Sequence, residues 1–391
     1  MTLIYLDDGA RFILQTLHNA GESGYLVGGA VRDLLRGVPA GDFDMACSAS
    51  TETLLALFPG AKCIGGVCGT VSVPVAGRSY EVTPYRKDGA YIDHRHPEQV
   101  ERAQTIEEDL ARRDFTVNAI AYDGEQLVDP FGGAADIEAG LLRCVGDPAQ
   151  RFAEDALRIL RLYRFASVLG FEIEESTAAA AQLHAQALAM LPMERVREEL
   201  QKLMLGSHPD AVLPLLRANG LDAFSVNAPR CTLSMDSLPQ GMLIRWWGFA
   251  HLTGSQLMHM VQSLGFSAAF YRDLAAVDAF YHSVAPKDLT ALKRQLRGGL
   301  PLPAEELYEA FCSFDLAWQP RRTLYDTLKA SKEPYTKEML AVSGGTLMAF
   351  GLRGAEIGQV LELLLDAVIA APQLNEPQKL LGLAKQLTKL A

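Results

Sequence analysis

The spacing of apolar and polar positions changes character near residue 140. Upstream, short apolar runs are cut by Gly, Pro and Asp. Three of these runs, over 25–28, 69–75 and 79–85, predict strands. Helical patterns fall between them at 10–20, 31–36 and 51–58, although in the first the apolar positions Phe12, Leu14 and Leu17 fit a helix less cleanly than a strand. A small mixed sheet with helices against it follows, an α/β head. Beyond residue 150 the period is helical almost throughout. Ala156, Leu157, Ile159, Leu160, Tyr163 and Phe165 open a long helix, and the alanine-rich 178–191 continues the theme. Pro192, Pro209, Pro214, Pro229 and Pro239 punctuate the next helices, with a loop expected over 227–239. Pro301, Pro303 and Pro334 mark later breaks, and helical runs over 355–370 and 376–390 close the chain. No internal repeat is present.

At 391 residues the chain exceeds one ordinary core, so two or more domains are expected. Hydrophobic residues at 49% and charged residues at 21% match a globular protein, and no apolar stretch is long enough for a membrane helix. The opening MTLIYLDDGARF lacks the basic start and cleavage site of an export signal, so a cytoplasmic location is expected. Six cysteines, at 47, 63, 68, 144, 231 and 312, form no CxxC pair, which removes the zinc-ribbon reading. Reduced thiols are expected, including Cys63 and Cys68, the closest pair. The net charge of −11 argues mildly against a nucleic-acid partner, so any RNA site must be a local patch.

The candidate chemistry starts at Gly28-Gly29-Ala30-Val31-Arg32-Asp33, where a predicted strand runs into a predicted helix. Two glycines let backbone approach a phosphate, and a helix start offers unpaired N–H groups. Asp42-Phe43-Asp44 follows. In an extended segment its two carboxylates share a face and repel unless a cation lies between them. Mg2+ takes one or two carboxylates together with substrate phosphates. Alone, such a pair is more often a solvated turn, but beside the Gly-Gly junction the metal site is the better reading. Glu81, on the predicted strand around Tyr80, is either a third carboxylate for two-metal chemistry or an ordinary exposed strand residue. Arg112, Arg113, Asp114 and Asn118 lie in one run, where paired arginines suit a triphosphate or, more blandly, a surface ion pair. Glu154, Asp155 and Arg158 are spaced three and four apart on an expected helix, with Arg161 and Arg164 continuing a similar stripe. Such runs are usually solvated faces, but the opposite side of this helix is strongly apolar.

Taken together, LVGGAVRDLL, GDFDMACSAS, GTVSV, YEVTPYRKDGAYIDHRHP, EEDLARRDFTVNAIAYD, VDPFGGAADI and RFAEDALRILRLYRFA occur in that order. The chain resembles the class II tRNA nucleotidyltransferase/poly(A) polymerase family, specifically its bacterial CCA-adding members. The resemblance is dense over the first half and thin beyond, with a faint echo at Val342-Ser-Gly-Gly-Thr and Gly354-Ala-Glu-Ile-Gly. It implies an α/β head of the nucleotidyltransferase type followed by all-α neck, body and tail domains, expected here at 1–138, 139–206, 207–330 and 331–391. Asp42 and Asp44 match the family's metal-binding aspartates, with Glu81 beside them. Gly28, Gly29 and Arg32 match its triphosphate cradle. Arg113 and Asp114 match its ribose motif, with Asn118 in the same run. Glu154, Asp155 and Arg158 match the side chains that read the incoming base, with Arg161 and Arg164 following, and 86–107 matches a loop that helps switch from C to A.

The chemistry of base choice agrees. A carboxylate accepts from the amino group of C or A while a guanidinium donates to the adjacent ring nitrogen; U and G present the reverse pattern and are refused. The implied activity is addition of C, C and A to tRNA from CTP and ATP with Mg2+, without a membrane or an obligate protein partner. Its rivals are an enzyme adding only the terminal A, a poly(A) polymerase, for which a basic C-terminal extension is expected where the tail LLGLAKQLTKLA is short and only mildly basic, and a non-catalytic RNA-binding protein on the same fold. No histidine is followed by Asp, so no HD phosphohydrolase activity is expected, and the His94/His96 pair reads as an exposed loop. Lys287, Lys293, Arg294 and Arg297, and a second cluster of Arg321, Arg322, Lys329, Lys332 and Lys337, are the candidate holders of tRNA phosphates, although charge runs are commonly solvated faces.

Overall fold

The computed structural model describes residues 5–64, 69–88, 100–218, 234–253 and 257–387. The chain divides into two compact units, Met1–Phe224 and Ser225–Ala391.

In the first unit, α1 (Asp8–Asn19) precedes β1 (Gly24–Val27), α2 (Gly29–Leu35), β2 (Asp44–Cys47), α3 (Thr51–Leu57), β3 (Lys62–Cys63), β4 (Val71–Val75) and β5 (Arg78–Pro84). Then come β6 (Arg86–Asp88), β7 (Val100–Arg102), α4 (Ile106–Ala111), β8 (Ala121–Tyr122), β9 (Leu127–Val128), α5 (Gly133–Ala139) and β10 (Leu141–Leu142). Seven strands form one mixed sheet in the order β3-β4-β5-β2-β1-β8-β9, in which only β2 and β5 run parallel. Side chains alternate across it. Leu26, Met45, Cys47, Tyr80 and Val82 enter the core beneath α1, α2 and α3. Val27, Ala46 and Tyr85 join Ile106 and Leu110 of α4 on the other face. Asp7 caps α1 by accepting the Ala10 amide at 2.7 Å. The helix buries Ala10, Ile13, Leu14 and Leu17, whereas Phe12 is 53% exposed. Of the apolar positions Phe12, Leu14 and Leu17, the last two face the core, and Ile13 rather than Phe12 completes the 3.6-residue stripe. Fully burying Ile13 or Leu17 stabilises the unit by about 1.5–3 kcal/mol each.

The helical part of this unit holds α6 (Pro148–Glu154), α7 (Leu157–Leu169), β11 (Glu172–Ile173), α8 (Glu175–Leu183), α9 (Met193–Met204) and α10 (Pro209–Ala218). Helix α7 packs against both α9 and α10. That packing keeps residues past 207 with the first unit, so the unit boundary falls inside the segment expected as the body. Strands β6 and β7 pair antiparallel at the two ends of 89–99. That stretch, with His94 and His96, lies outside the described residues, as do 227–233 of the expected loop, Cys68 and Cys231.

The second unit is helical among its described residues: α11 (Met242–Thr253), α12 (Leu257–Ser263), α13 (Ala268–Tyr281), α14 (Leu289–Leu296), α15 (Ala304–Phe314), α16 (Gln319–Ser331), α17 (Gly344–Ala349), α18 (Ala355–Ala370) and α19 (Pro377–Leu387). Its aromatic centre gathers Trp247, Phe280, Tyr308, Phe311 and Trp318. Arg245 is buried there and donates to three carbonyls, of Met235, Leu238 and Pro239. No helix among the described residues is long and apolar enough to cross a membrane.

Candidate active site

A cleft of about 660 Å³ opens in the first unit. One wall is the sheet. Because β2 and β5 are parallel, Asp44 stands opposite Glu81 and Ala46 opposite Thr83. All four line the cleft with Val27 and Met45, while Val82 turns into the core on the other face. Burial raises the Asp44 pKa, and the neighbouring Asp42 charge pushes it the same way against Arg113. A cation between the carboxylates would relieve that cost. Their donors are hard oxygens, and among the described residues neither histidine nor cysteine lines the cleft, so the site fits a hard divalent cation. Asp42 itself precedes β2 in a bend and is not among the lining residues, so the expected extended run over both aspartates covers Asp44 alone. Arg78 sets this bend. Its guanidinium donates to the Gly41 carbonyl and lies 4.8 Å from the Phe43 ring centre.

The junction of β1 and α2 forms a second edge. Gly28 has φ +68°, and a Cβ there would meet Arg113 Nη1 at 2.9 Å. Only glycine holds this turn without strain. Arg32, nearly buried, grips Asp33 through two hydrogen bonds of 2.9 and 3.1 Å and donates to Asn118 Oδ1 at 2.7 Å. Asp109 of α4 organises the next arginines: buried, it accepts from Arg112 at 2.9 Å, Arg113 at 3.1 Å and the Arg86 amide at 3.0 Å. Burial alone would raise its pKa, but Arg112 and Arg113 outweigh burial and lower it. Asp114 is similar. Its Oδ2 accepts from Arg161 Nε at 2.8 Å, and its Oδ1 from Asn118 Nδ2 at 3.3 Å and the Phe115 amide at 2.9 Å. Burial opposes the charge, yet Arg161 and these donors bring the pKa down to about 2.

The third edge departs from the single helix expected over Glu154, Asp155 and Arg158. Helix α6 ends at Glu154, Asp155 is extended at φ −140° and ψ 104°, and α7 starts at Leu157. Asp155 Oδ1 accepts the Leu157 amide at 2.9 Å and caps the new helix, as aspartate does at helix starts. Glu154 still pairs with Arg158 at 2.6 Å, and Arg158 also donates to the Arg112 carbonyl at 3.0 Å. Asp155 and Arg158 line the cleft, whereas Glu154 and Arg164 do not. Arg164 pairs with Glu199 at 3.3 Å. Arg32, Arg161 and Arg164 lie 5.4, 5.4 and 4.1 Å from the ring centre of Phe165, which itself lines the cleft.

Arg195, Glu198 and Glu199 of α9 also line the cleft, and none was singled out in the sequence. Asp109 and Arg86 were likewise missed. The sequence signal available in α9 was a charged run around the apolar stripe of Val196, Leu200 and Leu203, which a surface helix shares. Among the described residues, seven arginines and no lysine line the cleft, a local cationic surface within a chain of net charge −11. The planar guanidinium fork suits phosphate oxygens.

The basic runs of the second unit behave differently from the expectation. Lys293 is 2% exposed and ion-paired to Glu333, and Arg297 is paired with Glu362 and Asp366. The Lys293 ammonium is thus taken up by an internal partner, which corrects it as a holder of phosphates, while Arg297 keeps a partly exposed side chain in its ion pairs. Arg294, between them, is exposed. In the second cluster, Arg322 and Lys329 pair with Glu305, and Lys337 with Glu362.

A mixed sheet whose carboxylates face arginines across a cleft is the arrangement of a nucleotidyltransferase head. Residues 24–143 match the poly A polymerase head domain, and 170–224 match the probable RNA and SrmB-binding site of polymerase A. A CCA-adding enzyme of Bacillus pumilus is 34% identical over 91% of this chain and 91% of its own length. One of Geobacillus thermodenitrificans is 47% identical, matched over 54% of this chain and about half (53%) of its own length. The solved structure of the Bacillus stearothermophilus CCA-adding enzyme with CTP superposes with a TM-score of 0.77 at 31% identity, covering 97% of this chain and 96% of that one. The chain belongs to the CCA-adding enzyme family, metal-dependent nucleotidyltransferases.

Proposed function

We propose that this chain adds C, C and A to the 3′ end of tRNA, using CTP and ATP and releasing pyrophosphate. The supporting observation is the pairing of Asp44 and Glu81 on one wall of the cleft with Asp155 and Arg158 on another. In this reading Asp42 and Asp44, with Glu81 in register, hold Mg2+. When bound, the ion lowers the pKa of the RNA 3′-hydroxyl and offsets charge on the departing pyrophosphate. Gly28 and Gly29 bring backbone to the triphosphate, and Arg32 and Arg113 bind its oxygens. Asp114, on the cleft lining, serves the ribose end of the nucleotide and positions Arg161 and Asn118 through its own hydrogen bonds. Asp155 accepts from the amino group of C or A and Arg158 donates to the ring nitrogen, while Glu154 holds that guanidinium in place. The expected division into head, neck, body and tail, and a cytoplasmic location beside the tRNA pool, belong to the same proposal.

The test supplies Mg2+ and tRNA transcripts ending at the discriminator base or after CC, with CTP, ATP or both. Growth by two nucleotides with CTP and by three with both supports the proposal. Extension only of the CC-ended transcript, by one A, replaces it with the A-adding reading. Asp44→Ala should abolish incorporation while leaving the fold intact, and persistent turnover in that variant removes Asp44 from the metal site.

A further inference from the structure

The helical unit carries a group of side chains that the cleft does not use. Asp278 and His282 stand four residues apart at the C-terminal end of α13, on one face. Helix α11 packs against α13 and presents His251 from its last turn. His251 Nε2 is 3.0 Å from Asp278 Oδ1, and His282 Nε2 is 3.7 Å from the same oxygen. The three ligand atoms all lie within 4.8 Å of one another. A tetrahedral metal with bonds of about 2.0–2.1 Å separates its donors by about 3.3 Å. The two separations from Asp278 Oδ1 bracket that figure.

We propose that His251, Asp278 and His282 bind a transition-metal dication of the zinc class, in a site built wholly from the second unit. Two imidazole nitrogens and one carboxylate form a borderline donor set, which favours Zn2+, Co2+ or Ni2+ over Mg2+. Three protein ligands leave a fourth position for water. The surroundings are those of a supported site. Trp247 Nε1 donates to Asp278 Oδ1 at 3.2 Å and steadies the carboxylate. The rings of Trp247, Tyr281 and Phe314 pack on His251 with centres 4.4, 5.4 and 5.7 Å away. His282, with a side chain 61% exposed, leaves an entry path. Bound there, the ion ties α11 to α13 beside the aromatic centre.

The test uses the full chain, stripped of metal and kept in excess Mg2+ so that the hard oxygen site of the head is occupied. Zn2+ binding is read by equilibrium dialysis, and Co2+ binding by its ligand-field absorption and by quenching of tryptophan emission. One ion per chain is expected, with a tetrahedral Co2+ spectrum. Changes to groups that merely support metal ligands cost about 10–100-fold in affinity, so His282→Ala and Asp278→Asn should each weaken binding by at least about tenfold. His282 is exposed, so its variant folds. The double variant His94→Ala/His96→Ala should bind as the parent does. Unchanged affinity in His282→Ala, or loss of binding in the double variant, overturns the proposal and leaves His251 and Asp278 as a hydrogen-bonded pair.

Discussion

Replacing Asp114 with asparagine tests the electrostatic frame of the cleft. The carboxylate is almost buried and its pKa falls to about 2 from the ordinary 3.8, with Arg161 the main counterweight to burial. A depression of that size contributes roughly 2 kcal/mol at neutral pH. Asp114→Asn loses that contribution and leaves Arg161 facing a neutral amide. Removing one partner of a buried pair costs about 3–5 kcal/mol, and the retained shape of asparagine keeps this case near the lower end, at about 3. Because the folded pKa is depressed, the contribution is fully present above pH 3.8 and fades as pH falls towards 2. The gap between wild type and variant should therefore be flat from neutrality to about pH 5 and close below about pH 4. Urea unfolding followed by far-ultraviolet circular dichroism measures it. Tryptophan emission is the internal control, since Trp246, Trp247 and Trp318 all lie in the second unit and their transition should not move. A double variant adding Arg161→Met should recover about 1 kcal/mol or more, because the orphaned charge is gone. A gap under about 0.5 kcal/mol at pH 7, or one that widens in acid, would refute the reasoning.

Gly28→Ala places a side chain at φ +68° and 2.9 Å from Arg113 Nη1. It should cost about 1–3 kcal/mol of stability and raise the KM for CTP and ATP, read from melting curves and steady-state kinetics. Burial pushes the Cys47 and Cys144 thiols up to about 12, while Cys63 is exposed. Peptide mapping after brief iodoacetamide treatment at pH 8 should therefore find Cys63 labelled well before the other two, and equal labelling would contradict their burial. Lys293→Ala deprives Glu333 of its partner and should lower the stability of the second unit by about 2 kcal/mol, seen in the tryptophan-detected transition. Arg294→Glu should leave stability unchanged and raise the KM for tRNA but not for ATP, and an equal effect on both removes Arg294 from any RNA surface.

Local periodicity made the frame legible. The β1–α2 junction, β5 and α18 fall where alternation or helical spacing places them, because each buries a face that the sequence writes out residue by residue. Phase was harder: Phe12, Ile13 and Leu14 are adjacent and all apolar, and only packing decides which one faces water. The break at Asp155 was hidden because aspartate is tolerated within a charged helical run and becomes a cap only when the chain bends. Lys293 shows the same limit for charge, since its partner Glu333 lies forty residues away. The motif residues were recognisable, but Asp109, Arg195 and Glu199 enter the cleft through tertiary packing of α4 and α9, which no local pattern encodes.

The parallel pairing of β2 with β5 makes the acidic wall sensitive to parity but indifferent to length. A crossover connects the two strands, so segments added at the Ala76–Gly77 turn, where both residues have positive φ, leave Asp44 opposite Glu81. One residue inserted inside β5 would do the reverse: it turns Glu81 into the core layer held by Tyr80 and Val82 and brings an apolar side chain to the cleft. Two inserted residues restore the face but slide the carboxylate along the strand by about 6.6 Å, too far to share an ion with Asp44. Homologues and designed variants can thus differ freely in the excursion between the strands, while single-residue indels within β5 should be purged.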